Sequence, residues 1–340
     1  MSASLIVLIP VILLGIVGLF CFAGCGYDYS GYRAAAYTSE TILATGSIIA
    51  YWPLKEAKDT EPAVELISKS NGSYIDPKTV EVDTLYPWPE YKIPDGSNPD
   101  VLSAAAPDDI KITLGQPSIV VGDVALLPGD PVPPACVVVN GAYVDVPWND
   151  KFIPKKSFTV EAWVRVDWTK TAPHAFRFVL DMREFNPTTA GFALCAKAVD
   201  DQDGVYAWRG IVGDGSTAFV ILDSIEAPFK LKSPIEAEGT THYLALTYDA
   251  DSKTLTLFVN GVQNVQASSV GYAPNMTQPL WIGAGAPYIT PRTQPTDPMN
   301  PTSPLFPFVG AIQDVAIYNA ALDATTILQH FNDGSLKLDA

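Results

Sequence analysis

The chain has 340 residues, 48% apolar, 17% charged and 11% aromatic, a globular rather than a disordered composition. Its formal net charge is −16, with 21 Lys and Arg against 37 Asp and Glu, and no basic cluster exceeds Lys155-Lys156. Such a surface repels phosphate backbones and excludes nucleic acid as a partner, while a cation, a basic protein, a wall polymer or plain solubility stay open.

No charged side chain precedes Asp28, and Ala3 to Ala23 is apolar almost throughout. About 20 such residues cross the roughly 30 Å hydrocarbon core as a helix. Residues 1–26 are therefore expected to be a transmembrane anchor or export signal, with a linker over 27–45. A positive n-region is missing, and Phe22-Ala23-Gly24-Cys25 resembles a bacterial lipobox with an imperfect −3 residue. Cys25 is thus a candidate for lipidation. An uncleaved helix, a lipid anchor and full secretion are the alternatives. Each delivers the domain to the extracytoplasmic side of a membrane.

Strand patterns begin at Ser47–Trp52 and stop at Pro53, which has no N–H for a ladder. Between 75 and 135 the chain is rich in Pro, Asp and Gly, with one extended candidate at Ser118–Leu127. Cys136–Val139 precedes an Asn140-Gly141 turn, and Ala142–Val146 reads as its return strand. Phe158, Val160, Ala162, Val164 and Val166 alternate strictly and share one face. Phe176–Leu180, Gly191–Ala198, Val205–Val212 and Ala218–Leu222 are further strands. His242–Tyr248 and Thr254–Val259 form a hairpin, Asn260-Gly261 makes another turn, and Leu280–Gly283 and Phe308–Tyr318 close the series. No helices alternate with these strands, so a doubly wound parallel sheet is disfavoured. One helix is expected over Ala324–Phe331, capped by Asp323.

Several of these segments, in this order, resemble laminin G-like, concanavalin A-like jelly-roll domains. Phe158–Val164 is similar to the strand that opens the conserved half. Thr241–Asp249, Leu257-Phe258-Val259-Asn260-Gly261, Pro279–Gly283 and Phe308–Leu322 are similar to the segments that follow, and Ile49–Leu54 to the first strand. The resemblance spans most of residues 48–332. It implies an all-β concanavalin A-like sandwich, placed here over 46–336; the apolar run supplies one N-terminal hydrophobic helix before it, and 337–340 is a tail. The loops at 75–135 and 286–308 are enlarged.

The same sandwich hosts binding, structural and enzymatic functions. Related glucanases carry a Glu-x-Asp-x-x-Glu strand, and retaining chemistry needs carboxyl groups about 5–5.5 Å apart. That motif is absent here. Glu161, flanked by Thr159 and Trp163 on its face, reads as a solvated or hydrogen-bonded sheet carboxylate. His174, His242 and His330 sit in unrelated contexts, and His242 reads as structural. With neither a nucleophile elbow nor a Walker loop, no enzymatic activity is expected.

Binding belongs on loops at one rim or on a concave sheet face. Asp181, Asp200, Asp201 and Asp203 are candidate calcium ligands, hard oxygen donors near strand ends, or ordinary acidic loop residues. Trp163, Trp168, Trp208 and Trp281 are candidate stacking surfaces for sugars, or packing residues. The 286–308 loop holds seven prolines and few charges, and is either a preformed protein contact or a stiff cover. Cys136 and Cys195 form one disulfide or stay as two buried thiols. The sequons Asn71-Gly72-Ser73 and Asn275-Met276-Thr277 matter only where glycosylation machinery is present. The expected function is a non-catalytic, membrane-tethered module for a glycan or protein ligand. The alternative is a structural subunit of a larger membrane or surface assembly.

Overall fold

Strict alternation of apolar side chains along 158–166 requires a partner layer for one face, and that layer is a second sheet. The structure, a computed structural model, describes residues 41–56, 62–75, 111–120, 135–166, 176–185, 188–198, 205–224, 229–230, 241–285 and 308–335. In chain order its strands are β1 (Ile48–Trp52), β2 (Ser73–Ile75), β3 (Lys111–Pro117), β4 (Ala135–Asn140), β5 (Tyr143–Val146) and β6 (Phe158–Val166). Then come β7 (Phe176–Asp181), β8 (Glu184–Phe185), β9 (Thr189–Ala190), β10 (Phe192–Ala198), β11 (Val205–Gly213) and β12 (Phe219–Asp223). The series ends with β13 (Phe229–Lys230), β14 (Thr241–Asp249), β15 (Thr254–Val259), β16 (Val262–Ala267), β17 (Leu280–Ile282), β18 (Val309–Tyr318) and the helix α1 (Ala324–Ser335).

Two antiparallel sheets result. The first runs β16-β15-β14-β6-β18-β4-β3, with β1 also paired to β18; the second runs β12-β11-β10-β7-β17-β5-β2, with β13 paired to β11. Phe158, Val160, Ala162, Val164 and Val166 of β6 point into the core between them, where they meet Leu180, Phe192, Leu194 and Trp208 of the second sheet. Leu255, Leu257 and Val259 join the same core, while Phe258 faces outward. The Asn260-Gly261 turn has φ of 52° and 77°, the two positive values a tight hairpin turn needs to match strand twist. It leads into β16, a strand absent from the sequence reading, whose polar Gln263, Asn264 and Gln266 conceal it.

The outer face of the first sheet carries a second cluster, including Tyr51, Cys136, Trp163, Tyr243, Phe258 and Tyr318, and α1 covers it through Ile327 and Phe331. Asp323 Oδ1 accepts from Thr326 N at 2.8 Å, the expected cap, and the helix runs four residues beyond Phe331. Residues 41–45, the described part of the expected linker, pack here as well, with Ile42 fully buried.

Two expectations are corrected. Of the extended candidate at Ser118–Leu127, residues 121–127 lie outside the described residues, and 118–120 follow a strand rather than form one: β3, at Lys111–Pro117. Ser118 turns the chain out of it, its hydroxyl and the Ile119 amide both bonded to Gln313 Oε1. The second correction concerns the N-terminal hydrophobic helix, the membrane as a partner and the membrane-anchored location. Among the described residues no helix is long and apolar enough to cross a membrane. The described α-helix, α1, has 12 residues, about 18 Å against the roughly 30 Å required. Residues 1–26 and Cys25 lie outside the described residues, so membrane attachment is carried no further.

Candidate functional site

Because β strands alternate, the residues between the core positions of the second sheet line its outer face. Strand pairing sets them in rows. Ser73, Asp145, Trp281, Asp181, Ala193, Ile211 and Ile221 are successive partners from β2 to β12. The neighbouring row runs Phe178, Cys195, Arg209, Asp223. Here the sheet brings together the sequence candidates Asp181, Trp281 and Cys195.

Two arginines organise this face. Arg183 donates from Nε to Asp181 Oδ1 at 2.9 Å and from Nη2 to Asp181 Oδ2 at 2.6 Å, and its amide also donates to Oδ1 at 2.9 Å. The guanidinium lies 4.7 Å from the centroid of Phe178 and 5.4 Å from that of Phe219. Arg209 repeats the arrangement: Nε and Nη2 donate to the two oxygens of Asp223 at 2.5 and 2.6 Å, and the group lies 5.3 Å from the centroid of Phe176. Fork-on-carboxylate pairing and the ring face each favour a flat guanidinium, so both arginines are held in one orientation.

Burial divides the face. Asp181, Ala193 and Cys195 are fully buried, and Gly285 comes so close to the Phe178 ring that a Cβ there would lie 2.3 Å from it. The β12 margin is open, with Ile221 37% exposed and the Asp223 side chain 41% exposed. Phe176, Phe219 and Lys197 are half-buried beside it.

Among the sequence candidates, those on this face are engaged within the protein, and the others fall elsewhere or outside the described residues. Both oxygens of Asp181 are taken by Arg183, and Asp200, Asp201 and Asp203 lie outside the described residues. No group of three or more His, Cys, Asp or Glu among the described residues is placed to hold a metal ion. Trp281 is buried and donates from Nε1 to Asp145 Oδ1 at 2.8 Å. Burial raises the Asp145 pKa above its ordinary value, and this bond works against the rise. Trp208 lies in the core, its ring 5.4 Å from that of His242. Desolvation pushes the His242 pKa down to about 4, which keeps it neutral. Trp163 is buried beneath α1, stacked on Phe331 with centroids 5.8 Å apart. Trp168 and His174 lie outside the described residues. Cys136 and Cys195 are reduced thiols, not bridged to each other, buried on opposite outer faces. Burial drives the Cys195 pKa up to about 12, against the pull of Arg209 and Arg183.

Of the two sequence readings of Glu161, a solvated or a hydrogen-bonded sheet carboxylate, the structure shows the hydrogen-bonded one. Glu161 is fully buried and accepts from the Tyr243 hydroxyl at 2.5 Å and the Tyr318 hydroxyl at 2.9 Å, with His330 Nδ1 3.0 Å away. Donors from β14, β18 and α1 take up its oxygens, an arrangement suited to holding the layers together. Sequence reasoning also missed Arg183, Arg209 and Phe219. The alternation Phe219, Ile221, Asp223 was the available signal for β12; Arg209 gave none, since its pairing with Asp223 crosses strands, and Arg183 stands only two residues after its partner Asp181.

Two antiparallel sheets sharing one core, with β18 near the chain's end lying between β6 and β4, define a jelly-roll sandwich of the lectin type. A family model described as the Concanavalin A-like lectin/glucanases superfamily matches residues 139–328, more than half of the 340, and the chain belongs to that superfamily. Among solved structures, the binding domain of Paraclostridial Mosquitocidal Protein 1 is 14% identical, over 66% of this chain and 47% of that one, with a TM-score of 0.38. The chain thus covers less than half of that relative's length. The heptameric SAP-like pentraxin from Limulus polyphemus is 10% identical, over 55% and 75%, with a TM-score of 0.37. The Ruminococcus gnavus IT-sialidase CBM40 bound to alpha2,6 sialyllactose is 14% identical, over 52% and 84%, with a TM-score of 0.38. No curated protein matches the chain.

Proposed function

We propose that the domain is a non-catalytic binding module that holds a glycan or protein segment against the β11–β12 margin of the second sheet. One observation carries this reading. Two guanidinium groups, each fixed by a carboxylate and an aromatic ring, stand behind a margin where Ile221 and Asp223 are open to solvent. A site with pre-set polar and aromatic groups loses little side-chain entropy on binding. Glu161, buried beneath α1 and bonded on both oxygens, is not available for acid–base work.

The test is a glycan array probed with the full chain in mild detergent, followed by calorimetry on any hit. Saturable binding supports the reading. A chain that binds no glycan and no protein partner overturns it.

A structural subunit is the second reading, and one feature favours it. Leu43, Val64, Leu66 and Ile67 are 36–39% exposed, and Leu66 N donates to Tyr51 O, which sets the last three beside β1. Exposed apolar side chains beside a strand suit packing against another subunit. Recovery of a stoichiometric complex without glycan binding would favour this second role.

A further inference from the structure

The two sequons fare differently on folding. Asn275 is fully buried. Its Nδ2 donates to Gln278 O at 2.7 Å, and its Oδ1 accepts from Thr277 N at 3.0 Å and Gln278 N at 2.8 Å. The Thr277 hydroxyl donates to Glu184 Oε1 at 2.8 Å, and Trp148 Nε1 donates to Asn275 O at 3.4 Å. In the folded chain the Asn275 amide closes the turn ahead of β17 and the Thr277 hydroxyl is held by Glu184 of β8, so a modified Asn275 does not fit this fold. A sugar on this nitrogen would remove the Gln278 bond and find no room.

Asn71 is the opposite case. Its side chain is exposed, and its Oδ1 accepts from Glu65 N at 3.0 Å. Its Nδ2 has no partner among the described residues. Ser73, the hydroxyl residue of this sequon, is also exposed. It opens β2, a three-residue strand that, among the described residues, lies at the edge of the second sheet and pairs with β5. Acceptor amide and hydroxyl therefore both face solvent on a short marginal segment, the setting an N-glycosylation sequon requires.

We propose that Asn71 is an N-glycan acceptor and that Asn275 is not, in any compartment that supplies a lipid-diphosphate-linked oligosaccharide. In the transfer, Asn71 Nδ2 bonds to the anomeric carbon of the first sugar. The bond from that carbon to the diphosphate oxygen breaks, the lipid diphosphate leaves with the electron pair, and the nitrogen gives up one proton. No oxidant or reductant is involved. A glycan here stands over the β2 edge and blocks it from pairing with a foreign strand. The β11–β12 margin, at the other end of the same sheet, stays open.

The experiment is translation of the full chain, behind an appended cleavable export leader, with microsomes that carry the transferase. Lumenal, protease-protected chains are treated with peptide N-glycosidase in heavy-oxygen water, and the peptides are weighed. The expected result is heavy Asp in place of Asn at 71, with Asn275 unchanged. Ser73→Ala, which keeps Asn71 and its bond to Glu65, should abolish the glycan, whereas Thr277→Ala should leave it in place. An unmodified Asn71 in translocated chains overturns the proposal, and so does a glycan on Asn275 in chains that resist protease.

Discussion

His330 Nδ1 lies 3.0 and 3.2 Å from the two carboxylate oxygens of Glu161, joining α1 to the middle strand of the first sheet. On the other side of the ring, Nε2 is 3.1 Å from Thr45 Oγ1, which donates its own proton to Thr41 O at 2.9 Å. With its own proton on Thr41 O, that hydroxyl is set to accept from Nε2, and with Nδ1 facing a carboxylate the surroundings suit a doubly protonated ring. Thr41 and Gln329 in turn donate to Asp333, completing a link between the 41–45 turn and the helix.

This pair makes stability depend on pH with a defined sign. Burial opposes charge on His330, but the charge and hydrogen bond of Glu161, with Asp333 behind them, hold its pKa above the ordinary value. The hydroxyls of Tyr243 and Tyr318 also face Glu161, from β14 and β18. A raised folded-state pKa contributes stability in full below the unfolded value of about 6.5 and loses it as pH rises through the folded value. The urea midpoint of the native chain should therefore exceed that of His330→Gln most in mild acid, and the gap should close in alkali. A gap constant with pH would count against a charged His330.

Asp323→Ala should cost about 1 kcal/mol, the usual worth of an N-cap, because Thr326 N loses its acceptor. The backbone bond from Thr326 chiefly holds the Asp323 pKa below its ordinary value. Its contribution is present above the unfolded carboxylate pKa and fades as pH falls through the lowered folded one. Denaturant unfolding near neutrality and again in acid checks both parts.

Gly334→Ala places a Cβ 2.3 Å from Trp163 Cζ2. Trp163 is boxed in by Tyr243 and Phe331, with ring centroids 5.2 and 5.8 Å away, so the ring cannot yield cheaply. The expected loss is about 1–3 kcal/mol, typical of overpacking, with a change in near-ultraviolet circular dichroism. An unchanged spectrum would mean that the helix end does not press on this ring.

Cys195, buried and raised to about 12, should resist a maleimide at neutral pH in the folded chain and react after denaturation. Peptide mass mapping distinguishes the two states. Rapid native labelling at Cys195 would show that the outer face of the second sheet opens readily.

The fold was legible because burial writes itself into spacing: β6, β14 and β15 alternate, and Asn260-Gly261 marks its turn unaided. The site was far less legible. Asp181 read as a calcium ligand or an ordinary acidic loop residue, since nothing in the sequence announces that Arg183 will fold back onto both its oxygens. Trp163 and Trp208 read as platforms or as packing residues, because an aromatic residue on a strand looks the same whether a helix, a second sheet or solvent covers it. Glu161 and His330, 169 positions apart, carry no sequence signal for the bond between them. The β3 segment was misplaced by the apolar run at Ile119 and Val120, which is buried beside Gln313 rather than paired in a ladder.

The claim that the β11–β12 margin holds the ligand is tested most directly by calorimetric titration of an array-selected glycan or captured protein into the full chain and two variants. Ile221→Glu puts charge on the open part of the face, and Val262→Glu does the same at the 63% exposed start of β16, on the other sheet. Binding lost at least tenfold in Ile221→Glu and retained in Val262→Glu is the predicted result. Equal affinity in the native chain and in a folded Ile221→Glu variant would contradict it.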